Sequence, residues 1–430
     1  MTKNTIVEPA VSIVIPTYNA CDELRHTLRA LVRQTLRPDS YEVLVVDDGS
    51  SDPTHEVVTE FRDRLRLAYT RLERDEAGVA TNGYCVSRVR NAGARLARAP
   101  LLLFLDTGVI AGRDLVAEHL AAHAREPGGA VLGYCYGTYK LKPFPGLAEL
   151  LRSRTPEEVA ADIGDGPRGL DLRHDAFEAY GWDLGKLAAP WINFWAMNAS
   201  VPARAFWAVG GFDEDFRGWG YEYMELGYRL FRYGLRLAVA RRAWGIEWPT
   251  PRPVLVANSH GSGRNLNRFL AKHRHPDVEL YAILRTRSPV TDFEREHAVL
   301  CGWQERARNL DVTAELAGLA ADARAAGRVA VLGCGGGVPA GWPPSVLVDF
   351  DAELLARAAA GGAHRAIHAI GLSTGLPDQC VDLVVVTSRL RGVWDRWGDR
   401  VAAEARRVGR HVRVAFTDPE PESTIRVSIA

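Results

Sequence analysis

The sequence predicts two successive α/β domains, each built on a parallel β-sheet. Short apolar runs at 11–15, 42–46 and 101–105 each end at polar or turn residues, as buried strands do. Between the first two runs, leucines recur at helical spacing across 24–31. Strand–helix–strand order indicates a parallel sheet with both faces covered. A second pattern of this kind begins at Val329.

Length and composition agree with two packed domains. The chain has 430 residues, which is long for one ordinary domain. Hydrophobic residues make up 47% and charged residues 25%, so a packed core is expected and global disorder is not. Basic and acidic residues balance at 53 each, so the chain has no general field that attracts nucleic acid. We therefore predict no nucleic-acid partner.

The cysteines and apolar runs bear on the class of protein. None of the 6 cysteines forms a CxxC pair, which argues against zinc-finger and thioredoxin-like sites. The N-terminal apolar run ends at Pro16 and is too short for the core of a signal peptide. No apolar run approaches the roughly 20 residues that a membrane span needs. The sequence therefore predicts a reduced, cytoplasmic protein without a membrane span.

Three polar clusters stand where predicted strands end. Ligands of parallel α/β sheets bind beyond the carboxyl ends of the strands, so these clusters predict a nucleotide site. Tyr18 can pack against a base, and Asp48 can accept hydrogen bonds from a base or a ribose. An ordinary turn is the alternative for the second cluster, but the order and spacing favour a nucleoside site. The clusters are Pro16-Thr17-Tyr18-Asn19, Asp47-Asp48-Gly49-Ser50 and Asp106-Thr107-Gly108.

The stretch 207–233 is the most informative about function. A double-glycine turn leads into an acidic, aromatic loop and then into a predicted helix that contains Glu222. Together with the three clusters and the Arg90-Asn91 run, this order resembles the family 2 glycosyltransferases over about residues 10–265. The resemblance implies a GT-A fold and hexosyl transfer from a nucleoside-diphosphate sugar, with UDP as the expected nucleotide. The acceptor stays open between a saccharide, a peptide and a natural product.

The resemblance also assigns residues to donor binding. The first two strand ends match the nucleoside-binding pair of the family, and the run through Arg90 leads into its metal-binding triplet. Asn198 is expected near the donor sugar, and Trp219 is expected to contact the donor or the acceptor. The residues implied in donor binding are Pro16, Thr17, Tyr18, Asn19, Asp48, Arg90, Asn91, Asp106, Asn198 and Trp219.

The metal-binding triplet departs from the family. Asp106-Thr107-Gly108 lacks the second carboxylate, which normally ligates the metal directly. Mn²⁺ or Mg²⁺ prefers oxygen ligands and often keeps waters and substrate phosphates. The resemblance makes Asp106 and His260 the candidate ligands. The alternative is a metal-independent transferase in which Arg264 or another nearby cation meets the diphosphate charge and Asp106 binds ribose only.

The base position departs from the family as well. Most inverting members carry Glu-Asp where this chain has Glu222-Tyr223, and the aspartate is their usual base. A phenol has an ordinary pKa near 10, which argues against Tyr223. Three possibilities remain: Glu222 acts as the base, the reaction retains configuration, or the domain is inactive. We favour Glu222 as the catalytic residue, and Glu225 can instead pair with Arg229 one helical turn away.

The sequence divides into three parts. Residues 1–265 form the predicted GT-A domain, whose aromatic insertion at 134–190 suits a lid or an acceptor groove. Residues 266–326 form a predicted helical linker. Residues 327–430 form a smaller Rossmann-like α/β domain that resembles the nucleotide-binding half of class I S-adenosylmethionine-dependent methyltransferases.

The resemblance of the second domain is incomplete. Its glycines would let backbone approach a ligand, and Asp349 would bind a ribose. Three prolines between them, in the stretch 338–345, leave little chance for the usual helix. We therefore expect a degenerate domain and do not expect S-adenosylmethionine as a cofactor. Two alternative functions stay open: a non-catalytic nucleotide-binding scaffold, and a bifunctional glycosyltransferase–methyltransferase.

Overall fold

The computed structural model describes most of the chain in two compact units. Of the described residues, those up to Leu266 form the first unit and those from Asn267 form the second. The second unit includes the helices of the predicted linker 266–326. The described residues are 8–74, 85–137, 145–164, 169–218, 220–249, 258–284 and 289–416, without the side chains of 258–262 and 289.

The first unit holds an eight-stranded sheet with helices around it. Its strands are β1 (Val11–Thr17), β2 (Tyr41–Asp47), β3 (Leu67–Arg71), β4 (Leu101–Leu105), β5 (Val109–Ala111), β6 (Ala130–Tyr136), β7 (Asn198–Pro202) and β8 (Leu237–Glu247). Its helices are α1 (Cys21–Val32), α2 (Thr54–Thr59), α3 (Val86–Leu96), α4 (Leu115–Arg125), α5 (Leu147–Ser153), α6 (Pro156–Gly164), α7 (His174–Ala179), α8 (Ala203–Ala208) and α9 (Glu222–Arg232). A further helix, α10 (Asn258–Lys272), contains the boundary between the units.

The strand order places the predicted polar clusters at one edge of the sheet. The order is β3-β2-β1-β4-β7-β6-β8-β5, and β1 pairs in parallel with both β2 and β4. The carboxyl ends of β1, β2 and β4 therefore lie side by side, and the chain changes direction across the sheet between β1 and β4. Ligands of open α/β sheets bind at such a switch point. The predicted α/β class is confirmed.

The core explains why these runs form strands. Every residue of β1, β2 and β4 is buried, as expected for parallel strands covered by helices on both faces. Leu24, Leu28 and Leu31 of α1 are fully buried against this sheet, as their helical spacing predicts.

The described part of the insertion 134–190 packs onto the sheet. Val159 and Ile163 of α6 form an apolar cluster with Ile246 of β8. Beside it, Arg173 donates from Nη2 to Oδ2 of Asp171 at 2.6 Å, and both side chains are buried. Tyr134 and Phe177 of this segment are buried as well, so these two aromatic residues belong to the core.

A buried polar network ties α4 to strands β6, β7 and β8. Nδ1 of His119 lies 2.8 Å from Oγ of Ser200, and Nε2 lies 2.9 Å from Oδ1 of Asn198. Nδ2 of Asn198 donates to the carbonyls of Tyr134 at 3.2 Å and Ala243 at 2.9 Å. Asn198 is 0% exposed and its amide is engaged inside the sheet. These hydrogen bonds give Asn198 a structural role, and its contact with the donor sugar stays a prediction.

The second unit holds a five-stranded sheet. Its strands are β9 (Val329–Leu332), β10 (Ser345–Asp349), β11 (Arg365–His368), β12 (Val381–Val386) and β13 (Gly409–Val414). Its helices after α10 are α11 (Pro276–Ile283), α12 (Pro289–Arg306), α13 (Thr313–Gly318), α14 (Ala320–Ala326), α15 (Ala352–Ala359) and α16 (Trp394–Val408). The part of the chain that is described contains no helix long and apolar enough to cross a membrane.

The second sheet has the doubly wound order. All its strands are parallel, in the order β11-β10-β9-β12-β13. The chain runs from β9 to β10 without a helix, as the prolines at 339, 343 and 344 predict. Helix α16 lies between β12 and β13 in the chain.

The histidines of the buried network predict acid lability. Burial lowers the pKa of His119 and His123 from 6.5 to about 4. The unfolded chain thus binds protons at a higher pH than the folded chain. The contribution of these two histidines to the free energy of unfolding is therefore fully present above pH 6.5 and is lost as the pH falls toward 4. We expect His119 alone to contribute about 3 kcal/mol to this loss.

Urea unfolding followed by circular dichroism at a series of pH values measures this effect. His119→Gln should flatten the pH dependence, whereas replacing the exposed His55 by glutamine should leave it unchanged. A free energy of unfolding that stays constant over this range in the wild type would contradict the expectation.

Candidate active site

The loops after β1 and β2 are clamped together at the site edge. Asn19 has φ +46°, and its Oδ1 accepts from the N–H of Ser51 at 2.8 Å. Its own N–H donates to Oγ of Ser50 at 2.9 Å. Oδ1 of Asp47 accepts from the N–H of Ser50 at 2.8 Å. Asp47 therefore makes the ordinary turn that was the alternative for this cluster, and Asp48 is left to face the site.

The corner formed by Tyr18, Asp48 and Arg74 combines an aromatic ring, a carboxylate and a guanidinium. Cζ of Arg74 lies 4.0 Å from the ring centroid of Tyr18, and Nη1 donates to the Tyr18 hydroxyl at 2.7 Å. Nε of Arg74 lies 3.7 Å from Oδ2 of Asp48. Burial raises the pKa of Asp48. Oδ2 of Asp48 and both Nε and Nη2 of Arg74 are buried without hydrogen-bond partners. This corner offers unused donors and an acceptor beside an aromatic face.

Arg74 is a site residue that the sequence analysis missed. It follows β3, which pairs in parallel with β2, so its loop starts at the same edge as Asp48. The sequence signal was a cation just beyond the third strand end, but β3 is half exposed and its run at 67–71 is weakly apolar. Recognising β3 would have placed Arg74 in the site.

Pro16 and Thr17 lie at the end of β1 beneath this corner. Both are buried, and Oγ1 of Thr17 has no hydrogen-bond partner. The carbonyl of Pro16 accepts from Oγ1 of Thr107 at 2.8 Å, which joins β1 to the loop after β4. The predicted contacts of Pro16, Thr17 and Asn19 with a nucleoside stay predictions.

The backbone explains the glycine in the triplet after β4. Gly108 has φ +92°, and its N–H donates to Oγ1 of Thr27 at 2.9 Å. L-residues rarely adopt such a φ, so a carboxylate side chain at this position would carry backbone strain. Asp106 is thus the acid that this loop presents, and its side chain is 37% exposed.

Arg90 joins the two carboxylates of the site. It lies on α3 with a side chain only 4% exposed, and Nη2 donates to Oδ1 of Asp106 at 2.7 Å. Nη1 lies 3.5 Å from Oε1 of Glu222. Two buried or half-buried carboxylates would repel each other without this cation between them. Arg90 therefore fixes the donor-side acid and the predicted base relative to each other.

Glu222 begins α9 and is 3% exposed. Burial raises its pKa above the ordinary 4.5, while Arg90 and the N–H groups of Gly220 and Glu222 itself oppose the rise. Oε2 has no hydrogen-bond partner. The preceding Tyr221 has φ +70°, an uncommon conformation for a side chain of this size. The strained turn delivers a buried carboxylate with one unused oxygen to the site.

The neighbours of Glu222 on α9 have separate roles. Glu225 forms a bidentate pair with Arg229, at 2.8 Å and 2.6 Å, as helical spacing predicts. The pKa of Tyr223 is raised by burial and by the charge of Glu222, so its phenol stays protonated. The ring of Tyr223 lies 6.1 Å from that of Trp195. Tyr223 therefore cannot replace the missing aspartate as a base.

Asn91 supports the glycine-rich loop from beneath. Its Nδ2 donates to the carbonyl of Phe212 and to Oε1 of Glu214, both at 2.8 Å. Its Oδ1 accepts from the N–H of Phe212 at 2.9 Å. The side chain is buried, and its amide holds the 210–214 loop against α3. The contact of Asn91 with the donor stays a prediction.

Two predicted site residues lie outside the described part of the chain. Trp219 is not described, and His260 is described only as part of the backbone of α10. Among the described residues, no group of three or more His, Cys, Asp or Glu side chains could hold a metal ion. Asp106 is also engaged by Arg90. The described residues alone therefore do not build a metal site.

Comparisons with known proteins show the family of the chain. The model of glycosyl transferase family 2 matches residues 12–159, and that of the N-terminal domain of galactosyltransferase matches residues 186–247. A validoxylamine A glucosyltransferase from Streptomyces hygroscopicus subsp. limoneus is 43% identical over 414 residues, covering 94% of this chain and 90% of that protein. The chain belongs to glycosyltransferase family 2.

A second relative is similar over the same share of the chain. The validoxylamine A glucosyltransferase of Streptomyces hygroscopicus subsp. jinggangensis is 42% identical, covering 94% of this chain and 96% of that protein. The chain is thus a nucleotide-sugar-dependent glycosyltransferase, which removes the non-catalytic alternative for the first unit.

Two solved structures of glycosyltransferases show low similarity to this chain. TarS 1–349 of S. aureus is 16% identical with a TM-score of 0.43, covering 70% of this glycosyltransferase and 75% of that chain. A mannosyltransferase from Pyrobaculum calidifontis, in complex with GDP-Man and Mn²⁺, is 20% identical with a TM-score of 0.45, covering 74% and 81%.

Replacing Arg90 should destabilise the first unit strongly. We expect Arg90→Met to lower the free energy of unfolding by about 3–5 kcal/mol at neutral pH, because it leaves the buried Glu222 carboxylate without its cation. The loss should shrink at acid pH, where Glu222 is protonated. Denaturant unfolding monitored by tryptophan fluorescence measures it.

Arg95→Met is the matched control on the same helix. Arg95 pairs with Glu214 at 3.3 Å, but the two side chains are 58% and 39% exposed. Its loss should stay below about 1 kcal/mol. Equal losses in the two variants would show that Arg90 does not act as a buried bridge.

Proposed function

We propose that this glycosyltransferase moves a glucosyl group from a UDP-linked donor to validoxylamine A or a closely related acceptor, with inversion at the anomeric carbon. The donor sugar and the acceptor rest on the names of two relatives. The observation that carries the mechanism is Glu222, a buried carboxylate with an unused oxygen, held beside Asp106 by Arg90.

Uracil would bind in the corner formed by Tyr18, Asp48 and Arg74. The guanidinium of Arg74 now covers the Tyr18 ring, so the base would displace it or slide beside it. The unused N–H groups of Arg74 suit the carbonyl oxygens of a pyrimidine, and the unused oxygen of Asp48 suits an N–H or ribose hydroxyl donor. Burial makes each of these hydrogen bonds count, because an unpaired polar group there is costly.

Glu222 would act as the general base. Oε2 takes the proton from the acceptor hydroxyl while the acceptor oxygen forms a bond to the anomeric carbon. The bond from that carbon to the diphosphate oxygen breaks, and its electron pair leaves with the diphosphate. A carboxylate whose pKa is raised by burial accepts a proton more readily than an exposed one. Since the reaction inverts in a single displacement, no covalent intermediate on the enzyme is needed.

Arg90 would give the two acids different tasks. Its shorter contact goes to Asp106, at 2.7 Å, and the longer one to Glu222, at 3.5 Å. Asp106 is thereby the better neutralised carboxylate and faces the donor as a hydrogen-bond acceptor for ribose. Glu222 keeps enough free charge to serve as a base.

A divalent ion would complete the donor site only with groups beyond the described side chains. Asp106 would supply one oxygen, and His260 together with the diphosphate would have to supply the rest. Mn²⁺ or Mg²⁺ would neutralise the leaving diphosphate there. The described side chains do not by themselves form such a ligand set. Arg264, exposed on α10, is the alternative cation.

The acceptor would lie against the first turn of α9. Tyr223 follows the base directly, and Trp195 lies beside it with its Nε1 buried and without a hydrogen-bond partner. Aromatic faces with a polar edge suit a polyhydroxylated ring. Trp219 stays a predicted contact.

A cytoplasmic location and the domain division at about residue 265 also stay predictions.

A transfer assay tests the proposal. UDP-glucose and validoxylamine A should give a glycosylated product by mass spectrometry, and Glu222→Gln should lower kcat by roughly 100- to 10,000-fold with UDP affinity unchanged. UDP affinity is measured by calorimetry. Glu56→Gln, an exposed carboxylate on α2, is the control and should retain full activity.

Two outcomes would count against the proposal. Near wild-type transfer by Glu222→Gln would mean that another group is the base or that configuration is retained. Failure of the wild type to bind UDP would remove the nucleotide assignment.

A further inference from the structure

The carboxyl edge of the second sheet is where a nucleotide would bind in a doubly wound fold. Four segments meet there, one after each of the strands β9 to β12. In a working site their N–H groups and one carboxylate would be free for the ligand. Each segment is instead hydrogen-bonded within the second unit.

Asp349, the predicted ribose acid, is held by Arg389. Nε of Arg389 donates to Oδ2 of Asp349 at 2.8 Å, and Nη2 donates to Oδ1 at 3.0 Å. Both side chains are 0% exposed. Nη1 of Arg389 donates to the carbonyl of Ala307, beyond α12, at 2.5 Å. The guanidinium therefore occupies both oxygens that a ribose diol would need.

The glycine turn after β9 is also filled. The N–H of Gly335 donates to Oδ2 of Asp349 at 2.8 Å, and the N–H of Gly333 donates to the carbonyl of Val348 at 2.8 Å. A Cβ on Gly335 would lie 3.0 Å from Cδ of Arg389. The space that glycine leaves open for a ligand is thus taken by the Arg389 side chain.

The N–H groups after β11 and β12 donate to carboxylates of α11 and α13, two helices that come before the whole sheet in the chain. Glu279 of α11 is 1% exposed and accepts from the N–H groups of Ile370, Gly371 at 3.4 Å and Ser373 at 2.7 Å. Glu315 of α13 accepts from the N–H of Ser388 at 3.0 Å. These donors are the ones that a base or a phosphate would otherwise use.

We propose that the nucleotide edge of the second unit is permanently occupied by its own chain: Arg389, Glu279 and Glu315 stand where an adenosyl cofactor would bind. The residues present do not fit S-adenosylmethionine, because Asp349 and the backbone N–H groups at this edge are already hydrogen-bonded within the second unit. The helical segment 267–326 supplies Glu279, Glu315 and the carbonyl of Ala307. This segment therefore takes the hydrogen-bonding positions that a cofactor would use. The proposal argues against the bifunctional alternative.

The first test is a calorimetric titration of the full-length protein with S-adenosylmethionine and S-adenosylhomocysteine. We expect no binding of either compound. Binding at micromolar concentration, or protection of the 333–335 turn from hydrogen exchange by either compound, would overturn the proposal, because it would mean that the edge opens to a ligand.

The second test is hydrogen exchange of Arg389→Ala followed by mass spectrometry. Exchange at 345–350, 370–374 and 386–389 should accelerate by roughly 100-fold, since removing one partner leaves Asp349 buried and uncompensated. Peptides of the first unit serve as the internal control. Arg400→Ala, an exposed arginine of α16, should leave exchange unchanged.

A second variant covers the case in which Arg389→Ala does not fold. Glu279→Gln places an amide N–H₂ against backbone N–H donors and should accelerate exchange at 370–374 by roughly tenfold or more. Wild-type exchange rates at these segments in both variants would contradict the proposal.

Discussion

The buried guanidinium of Arg90 is the contact on which the active site depends. It is 4% exposed and bridges Asp106, after β4, to Glu222, at the start of α9. Neither acid could keep its position without a cation between them, because a buried carboxylate needs a partner. The loop-holding amide of Asn91 comes from the same helix, so α3 supports both the donor side and the glycine-rich loop.

The carboxyl edges of the parallel strands differ in hydrogen bonding between the two units. In the first unit, polar atoms of Asp48 and Arg74 beyond the strand ends, and of Glu222 at the start of α9, are buried without hydrogen-bond partners. A site awaiting a ligand has this property. In the second unit, both oxygens of Asp349 accept from Arg389, and one also accepts from the N–H of Gly335. One edge is therefore available for chemistry, and the other contributes to stability.

Much of the fold followed from the sequence, because parallel strands buried on both faces and amphipathic helices leave clear patterns. Tyr18, Asp48, Asp106 and Glu222 could be placed from strand ends and motif order. Asn91 and Asn198 could not, because a motif position does not reveal whether an amide faces a ligand or its own backbone. Arg74 was missed because β3 is half exposed and gives a weak strand signal.

The dependence of kcat on pH tests most directly whether Glu222 is the base. Burial raises its pKa above 4.5, and a base must be ionised, so kcat should rise with pH through a limb whose apparent pKa exceeds 4.5 and then level off. The residual activity of Glu222→Gln should lack that limb. A wild-type kcat that does not change with pH above 4.5 would contradict the account. The same rise of kcat with pH in the wild type and in Glu222→Gln would contradict it as well.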